Sequence, residues 1–308
     1  MNAVAPTDLV LAVDVGGSTT KGEITDAGGT VLHTSTVDTP YGAAAFDAIA
    51  KLGDGLLAEL PPAQRARVTR AAIILPGIVD REHAVAVFAG NLGWRNVPIG
   101  SRFSDQWGMP ALLDHDVTVA GWAEWRHGAG RGFDDVCALI LGTGISGITS
   151  VAGRLVRGAA GQAGEYGHIP IRHSDGLPCP CGNTGCVETV ASGPSIARAY
   201  ATRTGREISG AEAVFAAAYT DPEARAVIDD AIDALATGLL GTIHATCPEL
   251  IILGGGLARA GSILTDALHA RLTALLRVAP VPRVALGAFG VRAGLVGAAL
   301  LAREGHLE

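Results

Sequence analysis

Three cysteines and one histidine form the densest group of metal-binding residue types in the sequence. Cys179, Cys181 and Cys186 lie within CPCGNTGC, and His168 ends the preceding motif GEYGH. Thiolate sulfur and imidazole nitrogen are the ligands of closed, four-coordinate structural zinc sites. The chain has five cysteines, and an odd number with three so close together makes a poor disulfide framework. These residues therefore predict a structural Zn²⁺ site, in which His168 is assigned by its position beside the cysteines.

Glycine-rich turns after three apolar runs are candidates for binding a nucleotide. Asp14 closes the first run and would hold Mg²⁺ through water, while backbone N–H groups, hydroxyls and an ammonium group in the following turn would face phosphate. A single Gly-Gly turn is more often a plain β-hairpin, but two such turns after similar strands suit a cleft that holds a triphosphate from both sides. A third glycine cluster would let adenine and ribose lie against the backbone. The cofactor-binding candidates beside Asp14 are Gly16, Gly17, Ser18, Thr19, Lys21, Gly142, Thr143, Gly144, Gly254, Gly255 and Gly256.

Four acidic residues are candidates for acting on a polar substrate. Asp114 and Asp116 flank His115 at the end of PALLDHD, which is predicted to be a strand, and Glu165 and Glu188 lie close in sequence to the metal-binding residues. A carboxylate held by a rigid zinc site is suited to hydrogen-bonding sugar hydroxyls, which need acceptors of fixed direction. A pair of solvated surface glutamates is an equally good interpretation, and the residue types alone leave both open.

The elements that must position these residues are strands and helices in alternation. LVLAVDVGG is a strand that ends in a glycine turn, and VCALILGTGISGITSV repeats the pattern of strand, turn and strand, which indicates an internal duplication. We predict an α/β chain of two similar lobes. The first comprises residues 1–125, with the C-terminal helix 293–308 packing back on it, and the second comprises residues 126–292 with the zinc-binding loop. Glycines 128, 130 and 132 predict a hinge between the lobes.

The composition argues against several classes of partner. The chain has 308 residues, of which 48% are apolar and only 17% charged, and its formal net charge is -7. Nucleic-acid surfaces need clustered Lys and Arg, which the sequence lacks, so no nucleic-acid partner is expected. The apolar stretches are too short to cross a membrane, and no signal peptide precedes them. We therefore expect a soluble cytoplasmic protein with no membrane partner.

In order along nearly the whole chain, the motifs resemble those of the bacterial sugar kinases and repressors of the ROK family. GEYGH followed by CPCGNTGCVE is highly specific to that family, whereas the glycine loops are not. The resemblance implies a two-lobed, actin-like ATPase fold of the ribonuclease H-like, hexokinase type, with an internally duplicated βββαβα core and an active-site cleft between the lobes. The matching segments are DVGGSTTKG, LPGIVD, GNLGW, HDVTVAGWAE, GTGISG, AGEYGHIPI, CPCGNTGCVETVASG and ILGGGLA.

The resemblance also implies an ATP-dependent kinase, with Mg²⁺ and a structural Zn²⁺, that phosphorylates the C6 hydroxyl of a hexose, with glucose as the leading candidate. Asp116 matches the catalytic aspartate that accepts the hydroxyl proton, and the glycine loops match the phosphate and adenosine loops. A sugar hydroxyl is too weak an acid to attack unaided at neutral pH, so such an acceptor is physically needed. His168 matches both a zinc ligand and a sugar contact, with one ring nitrogen for each. The family also implies a homodimer or homotetramer. The other residues that match sugar contacts are Asn91, Glu165 and Glu188.

Two positions depart from the family pattern. Its usual Asn-Asp pair is His115-Asp116 here, and its usual asparagine two residues after the aspartate is Thr118. Because a neutral imidazole reaches further than an amide and donates from only one nitrogen, we expect His115 to contact the substrate and to affect which sugar is accepted. The alternative sugars are N-acetylmannosamine, N-acetylglucosamine, mannose, fructose and allose. The first glycine loop also resembles the polyphosphate-using branch, but that branch tends to lack the cysteine cluster, so ATP is the expected donor.

Two other functional classes compete with the kinase interpretation. A DNA-binding repressor would carry a helix-turn-helix module of roughly 60 residues ahead of the sugar domain, and the first strand begins near Leu9, which leaves only a short tail for one. A sugar-binding regulatory protein without catalysis would have no use for Asp14, Asp116 and both phosphate loops. We therefore expect a kinase.

Overall fold

The structure, a computed structural model, describes residues 8–172 and 175–307. Contacts between residues divide the chain into two compact units, which are described separately. The first comprises Met1–Ala123 together with Arg292–Glu308, and the second comprises Glu124–Val291. The first seven residues and Glu308, which the predicted first lobe includes, lie outside the described residues.

A five-stranded sheet forms the centre of the first unit. A β-hairpin (β1 and β2) extends to a third antiparallel strand (β3) on one side, and two parallel strands (β4 and β8) follow on the other, in the order β3-β2-β1-β4-β8. β1 and β4 are almost continuously buried, which is why they read as unbroken runs of Val, Leu, Ile and Ala rather than as alternating patterns. The strands are β1 (Leu9–Val15), β2 (Thr19–Thr25), β3 (Val31–Asp38), β4 (Val68–Leu75) and β8 (Ala111–His115).

Helices cover this sheet, and a small second sheet interrupts it between β4 and β8. Stacked rings join α1 to α3, where Phe103 lies between Phe46 and Trp107. The C-terminal helix α10 contacts β1 and β4. The helices are α1 (Ala43–Ala58), α2 (Pro62–Arg65), α3 (Ile99–Trp107), α4 (Asp116–Arg126) and α10 (Ala293–Glu304), and the small antiparallel sheet has β5 (Ile78–Asp80), β6 (Val85–Ala89) and β7 (Trp94–Val97).

The second unit repeats the same sheet. Its order is β11-β10-β9-β12-β13, with an antiparallel β9–β10 hairpin and parallel neighbours β12 and β13, so each strand has a counterpart in the first unit. The predicted internal duplication of an α/β fold is therefore confirmed. The strands are β9 (Val136–Leu141), β10 (Ile145–Val151), β11 (Arg154–Leu155), β12 (Leu250–Gly254) and β13 (Arg283–Leu286).

Helices complete the second unit. The longest, α8, is preceded by Asp221, whose side chain caps the helix by accepting a hydrogen bond from the Glu223 N–H at 3.0 Å, and is followed by Cys247, which takes a left-handed conformation. The apolar core of this unit is formed by side chains of the sheet and of the helices α6, α7, α8 and α9. The helices are α5 (Glu188–Ala191), α6 (Gly193–Thr204), α7 (Ala211–Ala217), α8 (Pro222–Thr246) and α9 (Ser262–Leu275).

The division between the units falls inside α4, between Ala123 and Glu124, ahead of the glycine segment in which the sequence predicts a hinge. Glu124 is completely buried, and its carboxylate accepts hydrogen bonds from the N–H groups of Ala288 and Phe289, both at 2.7 Å. These two charge-assisted bonds join the end of α4 to the segment that follows β13, within the second unit. Among the described residues, no helix has the length and apolarity needed to cross a membrane.

Candidate active site

The first glycine loop is the turn of the β1–β2 hairpin. The Gly16 N–H donates to the Thr19 carbonyl at 2.9 Å, and a side chain on Gly16 would meet that oxygen at 2.7 Å. A second contact holds the turn from outside, because the Thr39 N–H donates to the Ser18 carbonyl at 2.9 Å. The hairpin interpretation is thus correct as local structure, and the same turn leaves Gly17, Ser18, Thr19 and Lys21 exposed.

Asp14 lies near the end of β1, opposite Lys21 in the register of the hairpin. Gly294 of α10 comes so close that a Cβ there would be 2.5 Å from Asp14 Oδ2. Burial, with a further contribution from the negative charge of Asp116, raises the Asp14 pKa from 3.8 to about 6, and Lys21 opposes the shift. A nearby cation stabilises the charged form of a half-buried carboxylate whose pKa is raised, so Asp14 fits the predicted Mg²⁺ site.

Asp116 is the first residue of α4 and directly follows β8. The sequence predicts it at a strand end; the structure instead places it at a helix N-terminus, where free N–H groups and the helix dipole stabilise a carboxylate. The Val117 N–H donates to Asp116 Oδ1 at 2.8 Å, and the Asp116 side chain is 26% exposed. Asp114, by contrast, is buried and accepts a hydrogen bond from the His115 N–H at 2.8 Å. Of the two aspartates, Asp116 is therefore the one a substrate can reach.

Asn91 lies in a short turn between β6 and β7 and is exposed. A Cβ on Gly17 would be 3.3 Å from Asn91 Nδ2, so this amide lies directly beside the first glycine loop. Trp94 fixes the turn, because its indole N–H donates to the Gly42 carbonyl at 2.9 Å. Together with Asp14 and Asp116, Asn91 belongs to the first unit.

The second and third glycine clusters are neighbours within the second unit. The Gly142 N–H donates to the Gly144 carbonyl at 2.9 Å, and Thr143 and Gly144 are exposed. Gly255 has φ +81 and packs so closely on the Leu141 carbonyl that only glycine fits there. Gly254 ends β12, beside β9, and Gly256 is exposed. The backbone of the third cluster thus lies against the strand end that carries the second loop.

Glu188, the first residue of α5, contacts the second loop as well as the segment that carries His168. Its Oε2 accepts a hydrogen bond from the Ile145 N–H at 2.8 Å, and a Cβ on Gly144 or Gly167 would lie within 2.8 or 3.0 Å of the same oxygen. Glu165 is exposed and lines a cavity of about 400 Å³ between Tyr166 and α8. The two glutamates are therefore in different surroundings, although both lie close in sequence to the metal-binding residues.

The four predicted metal ligands converge. One ligand atom from each of His168, Cys179, Cys181 and Cys186 lies within 4.8 Å of all the others. The Cys179 Sγ is 3.6 Å from His168 Nδ1, and the Cys181 and Cys186 sulfurs are 3.8 Å apart. Tetrahedral zinc with bonds of about 2.3 Å to sulfur and about 2.05 Å to nitrogen would place these atom pairs about 3.6 and about 3.8 Å apart. The cluster therefore fits Zn²⁺, with Nδ1 as the imidazole ligand atom.

The sequence model of the ROK family matches residues 10–305. The chain belongs to the ROK family. The family resemblance and the actin-like fold expected from the motifs are thereby confirmed.

Two curated relatives match nearly the whole chain. A glucokinase of Streptomyces coelicolor is 32% identical over 321 residues, which cover 96% of this chain and 98% of the relative. An N-acetylmannosamine kinase of Shigella flexneri is 31% identical and covers 96% of this chain and 98% of its own. The crystal structure of a ROK family glucokinase from Streptomyces griseus, in complex with glucose and AMPPNP, superimposes with a TM-score of 0.82 at 32% identity, over 96% of this chain and 99% of that one.

Some residues that shape the site carry no signal in the sequence. Gly294 lies in an Ala- and Gly-rich helix in which nothing marks it as the glycine against Asp14. The Ile145 N–H that binds Glu188 is a backbone group, which a search for functional side chains passes over. Thr118 departs from the family pattern, but nothing in the sequence marks the contact that its hydroxyl makes with the His115 ring.

Proposed function

We propose that this ROK-family sugar kinase transfers the γ-phosphoryl group of ATP to the C6 hydroxyl of a hexose, with glucose as the first candidate. The observation that carries the proposal is the accessible carboxylate of Asp116 at the N-terminus of α4, electrostatically coupled to Asp14 at the end of β1. The two carboxylates have separate roles, since one must accept a proton and the other must remain charged beside a cation.

In this proposal Asp116 accepts the proton of the sugar hydroxyl as the oxygen of that hydroxyl attacks the γ-phosphorus of ATP. Asp14 would hold Mg²⁺, which neutralises charge on the phosphates when bound. The backbone N–H groups around Gly17 and Gly144 donate to phosphate oxygens, and Lys21 adds a positive charge. Phosphoryl transfer depends mainly on such positioning and charge neutralisation, because the transition state makes few covalent demands on the protein. The third glycine cluster, Gly254 to Gly256, is proposed to contact adenosine.

We assign the sugar contacts to Asn91 in the first unit and to Glu165, His168 and Glu188 in the second. His168 would use Nε2 for the sugar, since Nδ1 faces the cysteines. Carboxylates accept two hydrogen bonds with fixed directions, as vicinal hydroxyls require. We propose a structural role for Zn²⁺, which would order the segment that connects His168 to Glu188.

N-acetylmannosamine is the second candidate substrate. It is supported by the 31% identity to an N-acetylmannosamine kinase and by the imidazole of His115 beside the proposed base, where the family pattern has an amide. A ROK family transcriptional regulator shares the fold, with a TM-score of 0.84 at 28% identity, so the choice of a kinase over the repressor and regulatory alternatives rests on the glucokinase relatives and on Asp116. A homodimer or homotetramer remains part of the proposal on the family resemblance alone.

The test is a coupled ADP-release assay over glucose, mannose, N-acetylglucosamine, N-acetylmannosamine, fructose and allose. Polyphosphate is tested in parallel as donor, with sugar phosphate as the readout. We expect kcat/KM to be highest for glucose with MgATP, and 6-deoxyglucose, which lacks only the acceptor hydroxyl, to give no ADP release. A different preferred sugar would overturn the glucose assignment, and turnover of 6-deoxyglucose would overturn the C6 assignment.

A further inference from the structure

Both ring nitrogens of His115 are engaged by residues of its own segment. Nδ1 lies 3.2 Å from the Thr118 hydroxyl, and Nε2 lies 3.3 Å from Asp116 Oδ1. Thr118 is 7% exposed and the His115 side chain 19%, so both contacts are largely shielded from water. The imidazole therefore bridges a buried hydroxyl and the proposed catalytic carboxylate.

The two oxygens of Asp116 are in different surroundings. Oδ1 accepts the Val117 N–H at 2.8 Å and also faces His115 Nε2. Within residues 8–172 and 175–307, no protein group is bonded to Oδ2. The carboxylate is thus held by one oxygen, which leaves the other for a substrate hydroxyl.

The contacts also favour one tautomer of the neutral ring. A neutral imidazole carries one N–H, and the opposite nitrogen accepts. If the Thr118 hydroxyl donates to Nδ1, the proton lies on Nε2, the nitrogen that is 3.3 Å from Asp116 Oδ1. The other tautomer would set a nitrogen lone pair against a carboxylate oxygen, which is repulsive.

We propose that His115 is a positioning residue for Asp116, oriented in turn by Thr118. This inference rests on the proposed function, since it assumes that Asp116 is the acceptor of the sugar proton. It also accounts for the two departures from the family pattern together. At these two positions an imidazole and a hydroxyl, rather than two amides, make the contact.

Substitutions at Thr118 test the bridge at a residue that is not proposed to contact the substrate. Thr118→Val has the same shape but no hydroxyl, and we expect it to lower kcat about tenfold while the KM for sugar changes less than about twofold, because the loss is one of orientation. Thr118→Ser keeps the hydroxyl and should retain wild-type kcat. If Thr118→Val instead raises the KM for sugar and leaves kcat unchanged, His115 is a sugar contact and the inference is wrong.

Substitutions at His115 give a matched second pair. A glutamine amide nitrogen can occupy the place of Nε2, whereas an asparagine amide reaches only the place of Nδ1. We expect His115→Gln to keep kcat within about threefold and His115→Asn to lower it about tenfold, in line with the cost of misplacing a catalytic group. The reverse order of the two variants would overturn the inference.

Nitrogen NMR of the ring, on the ¹⁵N-histidine-labelled full chain without substrate, tests the geometry separately from turnover. We expect the Nε2–H tautomer of His115 in the wild type and a mixture of tautomers in Thr118→Val. A wild-type ring in the Nδ1–H form would overturn the inference. If the wild type phosphorylates no sugar, the proposed function fails, and the tautomer still decides whether the His115 bridge exists.

Discussion

The carboxylate of Glu188 accepts a hydrogen bond from the backbone N–H of Ile145 at 2.8 Å. Ile145 begins β10, directly after the glycine loop proposed for phosphate, while Glu188 is proposed to bind the sugar with its other oxygen. One side chain therefore contacts both the nucleotide loop and the proposed sugar position. Such a shared group couples the affinities for two ligands, because ordering it for one reduces the cost of binding the other.

Glu188→Ala should raise the KM values for both sugar and ATP. A charged hydrogen bond contributes about 1.5–3 kcal/mol, so each KM should rise about tenfold or more. Glu165→Ala is the matched control, because Glu165 is exposed and has no contact with the loop among the described residues; it should raise only the sugar KM. Steady-state kinetics with each substrate varied in turn make the comparison. An unchanged ATP KM in Glu188→Ala would contradict the coupling.

Asp116→Asn should lower kcat by at least about 100-fold, the lower range for removal of a general base. The amide oxygen can still accept the Val117 N–H, so α4 and the sugar affinity should be preserved within about threefold. Isothermal titration with sugar and the ADP-release assay measure the two effects. Asp105→Asn changes an exposed carboxylate of α3 in the same unit and should leave both unchanged. Near wild-type turnover in Asp116→Asn would show that Asp116 is not the base.

Asp14→Asn should stabilise the protein at neutral pH in the absence of Mg²⁺. The Asp14 pKa is about 6 in the folded chain against 3.8 ordinarily, so its ionisation costs more in the folded than in the unfolded state. That penalty is absent below pH 3.8, grows as the pH rises to about 6, and is complete above that. Replacing Asp14 by Asn should therefore raise the free energy of unfolding by about 2–3 kcal/mol at pH 7.5 and by much less at pH 4.5.

Urea denaturation in EDTA at these two pH values tests this prediction. Added Mg²⁺ should reduce the difference in the free energy of unfolding between Asp14→Asn and the wild type, because a cation bound at Asp14 stabilises only the wild type. An equal effect of the substitution at both pH values would show that the surroundings of Asp14 do not raise its pKa.

The cysteine cluster should retain about one Zn²⁺ per chain through purification without added metal, as a closed four-ligand site does. Cys181→Ser should lose the metal and lower the Tm, whereas Cys247→Ser, which removes the other exposed cysteine, should change neither. Burial raises the pKa of Cys186 to about 12, so metal binding must displace a proton and zinc affinity should fall as the pH is lowered. Elemental analysis and thermal unfolding with and without chelator measure these effects. Protein that lacks zinc as purified would contradict the site.

The repeated sheets were predictable because the signal is local. In both units a buried apolar strand, a glycine turn and a second strand follow one another without a gap, so residues close in sequence are also paired in space. The metal cluster is similar, since its three cysteines lie within eight residues of sequence, from Cys179 to Cys186. When contacting residues are separated by only a few positions in sequence, few alternative pairings are available to the chain.

Contacts between distant residues were not predictable in the same way. Glu124 binds backbone N–H groups more than 160 residues away, at Ala288 and Phe289, and backbone groups leave no mark in a sequence. Gly294 meets Asp14 because a helix at one end of the chain packs on a strand at the other. The position of Asp116 at a helix start rather than a strand end shows the usual uncertainty of element boundaries, where one residue decides which groups surround a side chain.

The first unit is built from two stretches of chain, and its helix α10 packs on β1 and β4. During synthesis at the ribosome, these strands emerge well before the helix that covers them, so their apolar side chains stay uncovered until α10 has been translated. The second unit is a single stretch and can fold as soon as it has left the exit tunnel. We therefore expect the half that is translated first to be completed last, with its uncovered strands a binding site for chaperones in the interval.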